Sequence, residues 1–269
     1  MKQLKFWGIR GSYSVSHEKF LKFGGNTTCI SIELDGKLLI FDAGTGIINL
    51  SDELYSKYDE FHIFISHSHI DHIQGLPFFR PLYSPNKHVY IYGQGRENVS
   101  FEKIIRGFIS LDYFPVPFEN MAGIKKIVEI GKGIHVGADI KVEALRLNKH
   151  PAFGVLLYKI IYKNESIIFA TDIECGYDYD PVFINFIKDA KILLHDSTYT
   201  DENYKNYIGW GHSTIEMSIK NASLANVKNL YLIHYEPHDT DEILLKREKE
   251  LKGKYKNVFM PKEGEVVKL

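Results

Sequence analysis

Short apolar runs separated by turn residues dominate the chain, and several of them end in histidine or aspartate. Leu4 to Ile9 reads as a first strand. Cys29 to Leu34 and Lys37 to Phe41 alternate as two strands joined at Asp35-Gly36, a hairpin signal. A helix over Ile47 to Tyr58 and a buried strand over Phe61 to Ile65 follow. Further on, the pattern predicts a short helix beginning near Gln74, a strand over His88 to Tyr92, a helix over Phe101 to Ile109 and a strand over Lys125 to Ile130. Strands at Ile140 to Leu147, Gly154 to Tyr162 and Ser166 to Ala170 come next, with Lys163-Asn164-Glu165 as a turn. Asp180-Pro181 is a helix start running to about Lys188. Ala190 to Leu194 and Leu230 to Ile233 read as strands, and Asp241 to Leu251 as a charged amphipathic helix. A helix from Gly211-His212-Ser213-Thr214 to about Ala225 would be capped by Ser213 and Glu216, which have capping-box spacing. A short strand closes the chain.

Polar chemistry collects where these strands stop. Ser66-His67-Ser68-His69-Ile70-Asp71-His72 puts four metal-ligand side chains within six positions, directly after a strand. In extended chain His67 and His69 face the same side. A turn after His69 would let Asp71 and His72 enter the same space from another direction, giving imidazoles for one ion and a carboxylate with an imidazole for a second. His150, Asp172, His195-Asp196 and His234 also sit at strand ends. In layered α/β proteins, sites gather there. Rival readings stand beside each. His150 precedes a proline and could be a loop residue; Asp172 could be a turn former, with Glu174 a weaker competitor; His238 lies close to His234. Asp42 opens a glycine turn, Asp42-Ala43-Gly44-Thr45-Gly46, and is a candidate partner for a ligand. Asp112 to Phe118, aromatic and punctuated by proline, reads equally as a lid, a subunit contact or a core-packed loop.

Composition narrows the class. With 269 residues and 44% hydrophobic side chains the chain suits one globular domain over 1–269, or two merged halves. Lys+Arg 33 against Asp+Glu 34 leaves no global basic footprint for long nucleic acid. Two cysteines make no disulfide framework and suit a reducing compartment. There is no signal-peptide pattern and no apolar run long enough for a bilayer. These features fit a soluble cytoplasmic protein.

His67-Ser68-His69-Ile70-Asp71-His72, followed by His150, Asp172 and His234, resembles the metallo-β-lactamase superfamily over nearly the whole chain. The resemblance implies an α/β fold, the αββα four-layer sandwich. It also implies two divalent ions: one on His67, His69 and His150, and one on Asp71, His72 and His234, with Asp172 bridging. Zinc comes first, with manganese or iron as alternatives.

Gly211-His212-Ser213-Thr214 looks like the motif of the phosphodiesterase branch, which includes RNase Z and bacterial cyclic-nucleotide phosphodiesterases. Trp7 to Ser12, Gly24 to Thr28, Tyr113 to Pro117, His195 to Thr200 and Gly209 to Thr214 look closest to the cyclic-nucleotide-phosphodiesterase-like members. The expected function is therefore hydrolysis of a small phosphodiester, first of all a cyclic nucleotide, at a two-metal site that activates water and clamps the phosphate. Asp71 would handle the nucleophile's proton and His212 would protonate the leaving oxygen. A helix N-terminus at Ser213 and Thr214 would offer N–H groups to the phosphate. Tyr113, Phe114 and Asn26 are weaker substrate-binding candidates. His195, Asp196 and Asp42 are candidates for orienting metal ligands.

The resemblance also implies a homodimer. RNase Z carries its tRNA-gripping arm between the third metal histidine and the bridging aspartate. Here only Pro151 to Thr171 fills that interval, which argues against an RNA endonuclease. A thioesterase or lactonase on the same metals is a competing reading. So is a metal-dependent sensor or binding protein with no enzymatic activity.

Overall fold

The structure is a computed structural model describing residues 2–176 and 180–269. It forms two compact units: 1–8, 26–131 and 264–269 make the first, and 9–25 and 132–263 the second.

The first unit is a seven-stranded mixed sheet. Its strands are β1 (Gln3–Gly8), β2 (Cys29–Leu34), β3 (Lys37–Phe41), β4 (Glu60–Phe64), β5 (His88–Gly93), β6 (Ile124–Glu129) and β14 (Val266–Lys268), in the order β14-β1-β2-β3-β4-β5-β6. The β14, β1, β2 and β3 strands pair antiparallel, whereas β3 to β6 pair parallel. Central parallel strands are apolar on both faces, and β3 to β5 follow that rule. One face carries the row Ile40, Ile63 and Ile91, in one core with Ile47, Leu50 and Leu54 of α1 (Gly46–Leu54). The other carries Phe41, Phe64 and Tyr92, whose rings stack at 5.2 and 4.7 Å across the strands. Asp35 and Gly36 take left-handed φ of 45° and 80°, the turn expected between β2 and β3.

The helix after β4 begins earlier than the sequence suggests. It is α2 (Ile70–Ile73), which supplies the turn after His69 and carries Asp71 and His72. Leu76 to Phe78 then forms a separate 3₁₀ turn with proline near its start. Helix α3 (Phe101–Phe108) is capped by Ser100. Asp112 to Pro117 forms no helix or strand.

The second unit repeats the plan, an antiparallel set followed by a parallel one. Its strands are β7 (Gly133–Val136), β8 (Ile140–Leu147), β9 (Val155–Tyr162), β10 (Glu165–Ala170), β11 (Ile192–Asp196), β12 (Asn229–Ile233) and β13 (Val258–Phe259), in the order β13-β12-β11-β10-β9-β8-β7. The set β10 to β13 is parallel, and β7 to β10 is antiparallel. Helices α4 (Pro181–Ile187), α5 (Asp201–Tyr204), α6 (Ile215–Leu224) and α7 (Asp241–Lys254) complete it. The short β7, β13 and α5 carry no sequence signal strong enough to stand out.

Asp180 caps α4 as its spacing predicts. The expected cap of α6 is displaced by one residue. Thr214 accepts the Met217 N–H, while the Ser213 hydroxyl donates to the Ile173 carbonyl and accepts the Cys175 N–H. A parallel bridge between Tyr199 and Thr214 pulls Ser213 out of the helix and into the neighbouring loop.

Candidate functional site

The first unit's candidates run from the segment after β4 into α2. Rings of His67 and His69 meet edge-on with centroids 4.4 Å apart, and His67 and His72 are 4.3 Å apart. His72 and Asp71 are buried. Asp71 Oδ2 lies 3.2 Å from His72 Nε2, while His72 Nδ1 donates to Asp42 Oδ2 at 2.6 Å. Asp42 also accepts the Ser66 N–H at 2.7 Å and the Ser66 hydroxyl at 2.8 Å. Burial pushes the Asp42 carboxyl above its ordinary value, against the pull of His72 and Ser66. Asp42 reaches this position just past β3 with a φ of 60°, a left-handed conformation costly for a residue with a Cβ.

In the second unit, parallel β10, β11 and β12 end at one edge, and β8, which runs the same way, delivers His150 there. Asp172 follows β10, Asp196 ends β11 and His234 follows β12. Asp172 and His234 have φ of 51° and 65°, so two more strand-end residues are left-handed. His234 Nε2 is 3.1 Å from Asp172 Oδ1, and His150 Nε2 is 3.8 Å from Asp172 Oδ2. Asp172, Asp196, His212 and His234 can bring one ligand atom each within 4.8 Å of one another.

His212 donates from Nδ1 to Asp196 Oδ2 at 2.7 Å, and its ring stacks on His234 at 4.9 Å. Burial alone would raise the Asp196 carboxyl, but the imidazoles of His212 and His234 outweigh it and hold it below its ordinary value. The other oxygen of Asp196 accepts the Ser213 and Thr198 N–H groups. Thr198 Oγ1 lies 3.0 Å from His234 Nδ1, and the Gly211 carbonyl accepts His150 Nδ1–H at 3.0 Å.

These donor sets fit divalent metals. His72 and His234 each have Nδ1 tied to an oxygen, which leaves the lone pair on Nε2, and each Nε2 faces a carboxylate oxygen. Imidazole nitrogen with carboxylate oxygen, steadied from behind, is the donor chemistry of zinc and its neighbours.

Other candidates fall differently. His195 stays apart from this cluster. Strand alternation turns it away from the Asp196 side chain, and its Nδ1 lies 2.7 Å from the backbone carbonyl of Asp196 and 3.1 Å from the Ser218 hydroxyl, with the ring edge-on to Phe183. The first turn of α6 offers fewer N–H groups than expected: Ser213 gives its own to Asp196, Ile215 to the Tyr199 carbonyl and Met217 to Thr214. His238, the rival of His234, is exposed and bonds Glu236. Glu174, the rival of Asp172, accepts from a loop instead. Asn26 is half-buried before β2. Tyr113 is 81% exposed, and Phe114 is half-buried edge-on to Phe78.

Sequence reasoning did not single out Ser66, Thr198 or Gly211 as supports for the histidines. Adjacency to a strand-end ligand was the only signal, and it does not say which atom a side chain meets.

Residues 39–235 match the family model described as Beta-lactamase superfamily domain. Ribonuclease Z of Prochlorococcus marinus (strain MIT 9515) is 26% identical, with 82% of this chain and 86% of the relative covered. Among solved structures, a diphosphatase from the PhnP family is similar with a TM-score of 0.74 at 17% identity, over 100% of this chain and 98% of that one. Human tRNase Z, short form, gives 0.68 at 17% identity, over 98% of each. At such identities the structural likeness speaks for the fold, and the family match spans more than half of the sequence. The chain therefore belongs to the β-lactamase superfamily, as a metal-dependent hydrolase with the α/β metallo-β-lactamase fold.

Proposed function

We propose that the protein hydrolyses a phosphodiester. The observation that carries this reading is the Asp196–His212 pair: a buried carboxylate holds one imidazole nitrogen at 2.7 Å, beside the Asp172–His234 pair. Phosphodiester cleavage expels an alkoxide that needs a proton, and His212, oriented through Nδ1, can deliver one from Nε2. General acid catalysis of this kind contributes about 10²–10⁴-fold. Stacking of His212 on His234 keeps the ring plane fixed.

The metal assignment follows the family resemblance: His67, His69 and His150 for one ion, Asp71, His72 and His234 for the other, Asp172 shared. Bound divalent ions supply Lewis acidity toward phosphoryl oxygens and lower the pKa of water. Asp71 would take up the proton of the attacking water. Zinc is the ion proposed, and a homodimer in the cytoplasm the working form. For the substrate we favour a small phosphodiester, a cyclic nucleotide before others. The interval from His150 to Asp172 supports this choice, since β9, a two-residue turn and β10 nearly fill it.

RNA is the second reading, favoured by the relatives named Ribonuclease Z. The test incubates zinc- or manganese-supplemented protein with bis(p-nitrophenyl) phosphate, 3′,5′- and 2′,3′-cyclic nucleotides and a precursor tRNA. Turnover of the small esters with loss on His212→Ala is expected. Cleavage confined to the tRNA would replace the first substrate by the second. A rate unmoved by His212→Ala would remove the acid role.

A further inference from the structure

Glu174 sits two residues beyond Asp172, on the segment following β10, and among the described residues its carboxylate bonds one short region. Oε1 accepts the Tyr204 hydroxyl at 2.6 Å and the Gly209 N–H at 2.8 Å; Oε2 accepts the Gly211 N–H at 2.8 Å. Its own N–H donates to the Lys149 carbonyl at 3.0 Å, next to His150. The clamped peptide meets the candidate site twice. The Gly211 carbonyl is the acceptor for His150 Nδ1–H at 3.0 Å, and the residue after Gly211 is His212.

Aromatic packing holds the start of this loop: Tyr207 stacks on Tyr199 with centroids 4.6 Å apart, and Trp210 meets Tyr207 edge-on at 5.3 Å. Ile208 and Trp210 are 66% and 60% exposed, so apolar burial contributes little there. Gly211 must be glycine: its φ is +91°, and a Cβ would lie 2.2 Å from His150 Nδ1. Neither glycine has a side chain to anchor it, and the stretch carries a support for one histidine and precedes another, so the Glu174 carboxylate gives the Gly209 and Gly211 N–H groups a hold that the aromatic rings do not. Hydrogen bonds from N–H groups to a carboxylate are roughly twice as strong as neutral ones.

We propose that Glu174 is a positioning residue that sets His150 and His212 together through the Gly209–Gly211 peptide. This rests on the reading above for what the two histidines do, but the clamp itself does not. A carboxylate is required because both oxygens accept. In Glu174→Gln one oxygen becomes an NH₂ group, which faces a backbone donor and cannot accept from it. Outer partners of this kind are worth about 10–100-fold in metal affinity or rate when removed.

The experiment compares wild type, Glu174→Gln and Tyr204→Phe. Metal-free protein is studied first by NMR, following the Gly209 and Gly211 amide protons and the His150 ring N–H. Glu174→Gln is expected to shift the Gly211 amide upfield and speed exchange of the His150 ring proton; Tyr204→Phe leaves both near their wild-type positions. Zinc affinity by chelator competition and kcat and KM on bis(p-nitrophenyl) phosphate follow. The expected result for Glu174→Gln is a loss of about 10–100-fold in zinc affinity or kcat with KM nearly constant. Unchanged Gly211 and His150 signals in metal-free Glu174→Gln overturn the clamp, whether or not the wild type hydrolyses phosphodiesters. Changed signals with zinc affinity and kcat both at wild-type values overturn its positioning role. A wild type that binds metal but cleaves no phosphodiester overturns the functional reading alone; zinc affinity then decides on Glu174.

Discussion

The candidate ligands of the first unit and those of the second are assembled in opposite ways. His67, His69, Asp71 and His72 come from one stretch, in which His72 leans on a buried carboxylate, Asp42, and His67 Nδ1 lies 3.1 Å from the Ser66 hydroxyl. In the second unit, His150, Asp172 and His234 come from three separate segments, brought to one edge by β8, β10 and β12, and His212 joins them from the loop before α6. Their rings lean on unlike groups: His150 on a backbone carbonyl, His234 on a hydroxyl, His212 on a carboxylate. A local cluster needs one turn, and its anchors Asp42 and Ser66 are themselves joined by hydrogen bonds. A dispersed cluster needs a sheet register and an anchor for each ring, so it can fail at more places.

That contrast is most sharply broken by removing Asp172, which faces both His150 and His234. Asp172→Ala should cost more than the roughly 100-fold that loss of an outer partner costs, with reduced metal content by elemental analysis. Retained metal and rate would mean that the second unit's histidines do not depend on it.

Next comes the anchor type. Asp42→Asn removes a charged acceptor from His72, and Thr198→Val removes a neutral one from His234. Both should fall within about 10–100-fold in metal affinity, with Asp42→Asn the larger because charge-assisted hydrogen bonds are stronger. Equal losses by chelator competition would show that the nature of the anchor is immaterial.

A packing test follows. Gly11 lies against His234, and a Cβ there would come 2.3 Å from its Cε1. Gly11→Ala should destabilise by about 1–3 kcal/mol in urea unfolding, as overpacked sites do. A variant as stable as wild type would show that His234 can give way.

The smallest effect lies outside both clusters. Burial would raise the Glu33 carboxyl, but hydrogen bonds from Lys57, Tyr58 and Gln3 hold it below its ordinary value. A carboxyl lowered by folding stabilises above its unfolded pKa of about 4.3, and that contribution is lost as pH falls through the lower folded value. Glu33→Gln should therefore flatten the acid limb of the stability profile and leave turnover unchanged. An unaltered limb would show that Glu33 gains nothing on folding.

Much of the fold was legible. The segments Cys29 to Leu34, Lys37 to Phe41 and Ile140 to Leu147 form strands with the predicted limits, because alternation and flanking turn residues agree there. The pair Val258–Phe259 is a strand only because β12 lies beside it, which no local pattern reveals. The α6 cap moved from Ser213 to Thr214 for a similar reason: Ser213 has a better use across the loop, with Ile173 and Cys175.

By itself the sequence determined the candidate ligands and that they stand at or just beyond strand ends, since composition and period are local properties. Only the tertiary structure decided which way each one faces. It turned His195 from the cluster and Asp196 into it, because neighbours on a strand point to opposite sides of a sheet. It gave Asp42, Asp172 and His234 left-handed backbones, which the surrounding packing must hold in place. It also supplied Glu174 with two glycine N–H groups some 35 residues away. Hydrogen bonds of that span depend on the register of the whole sheet, which the residues on either side of Glu174 do not encode.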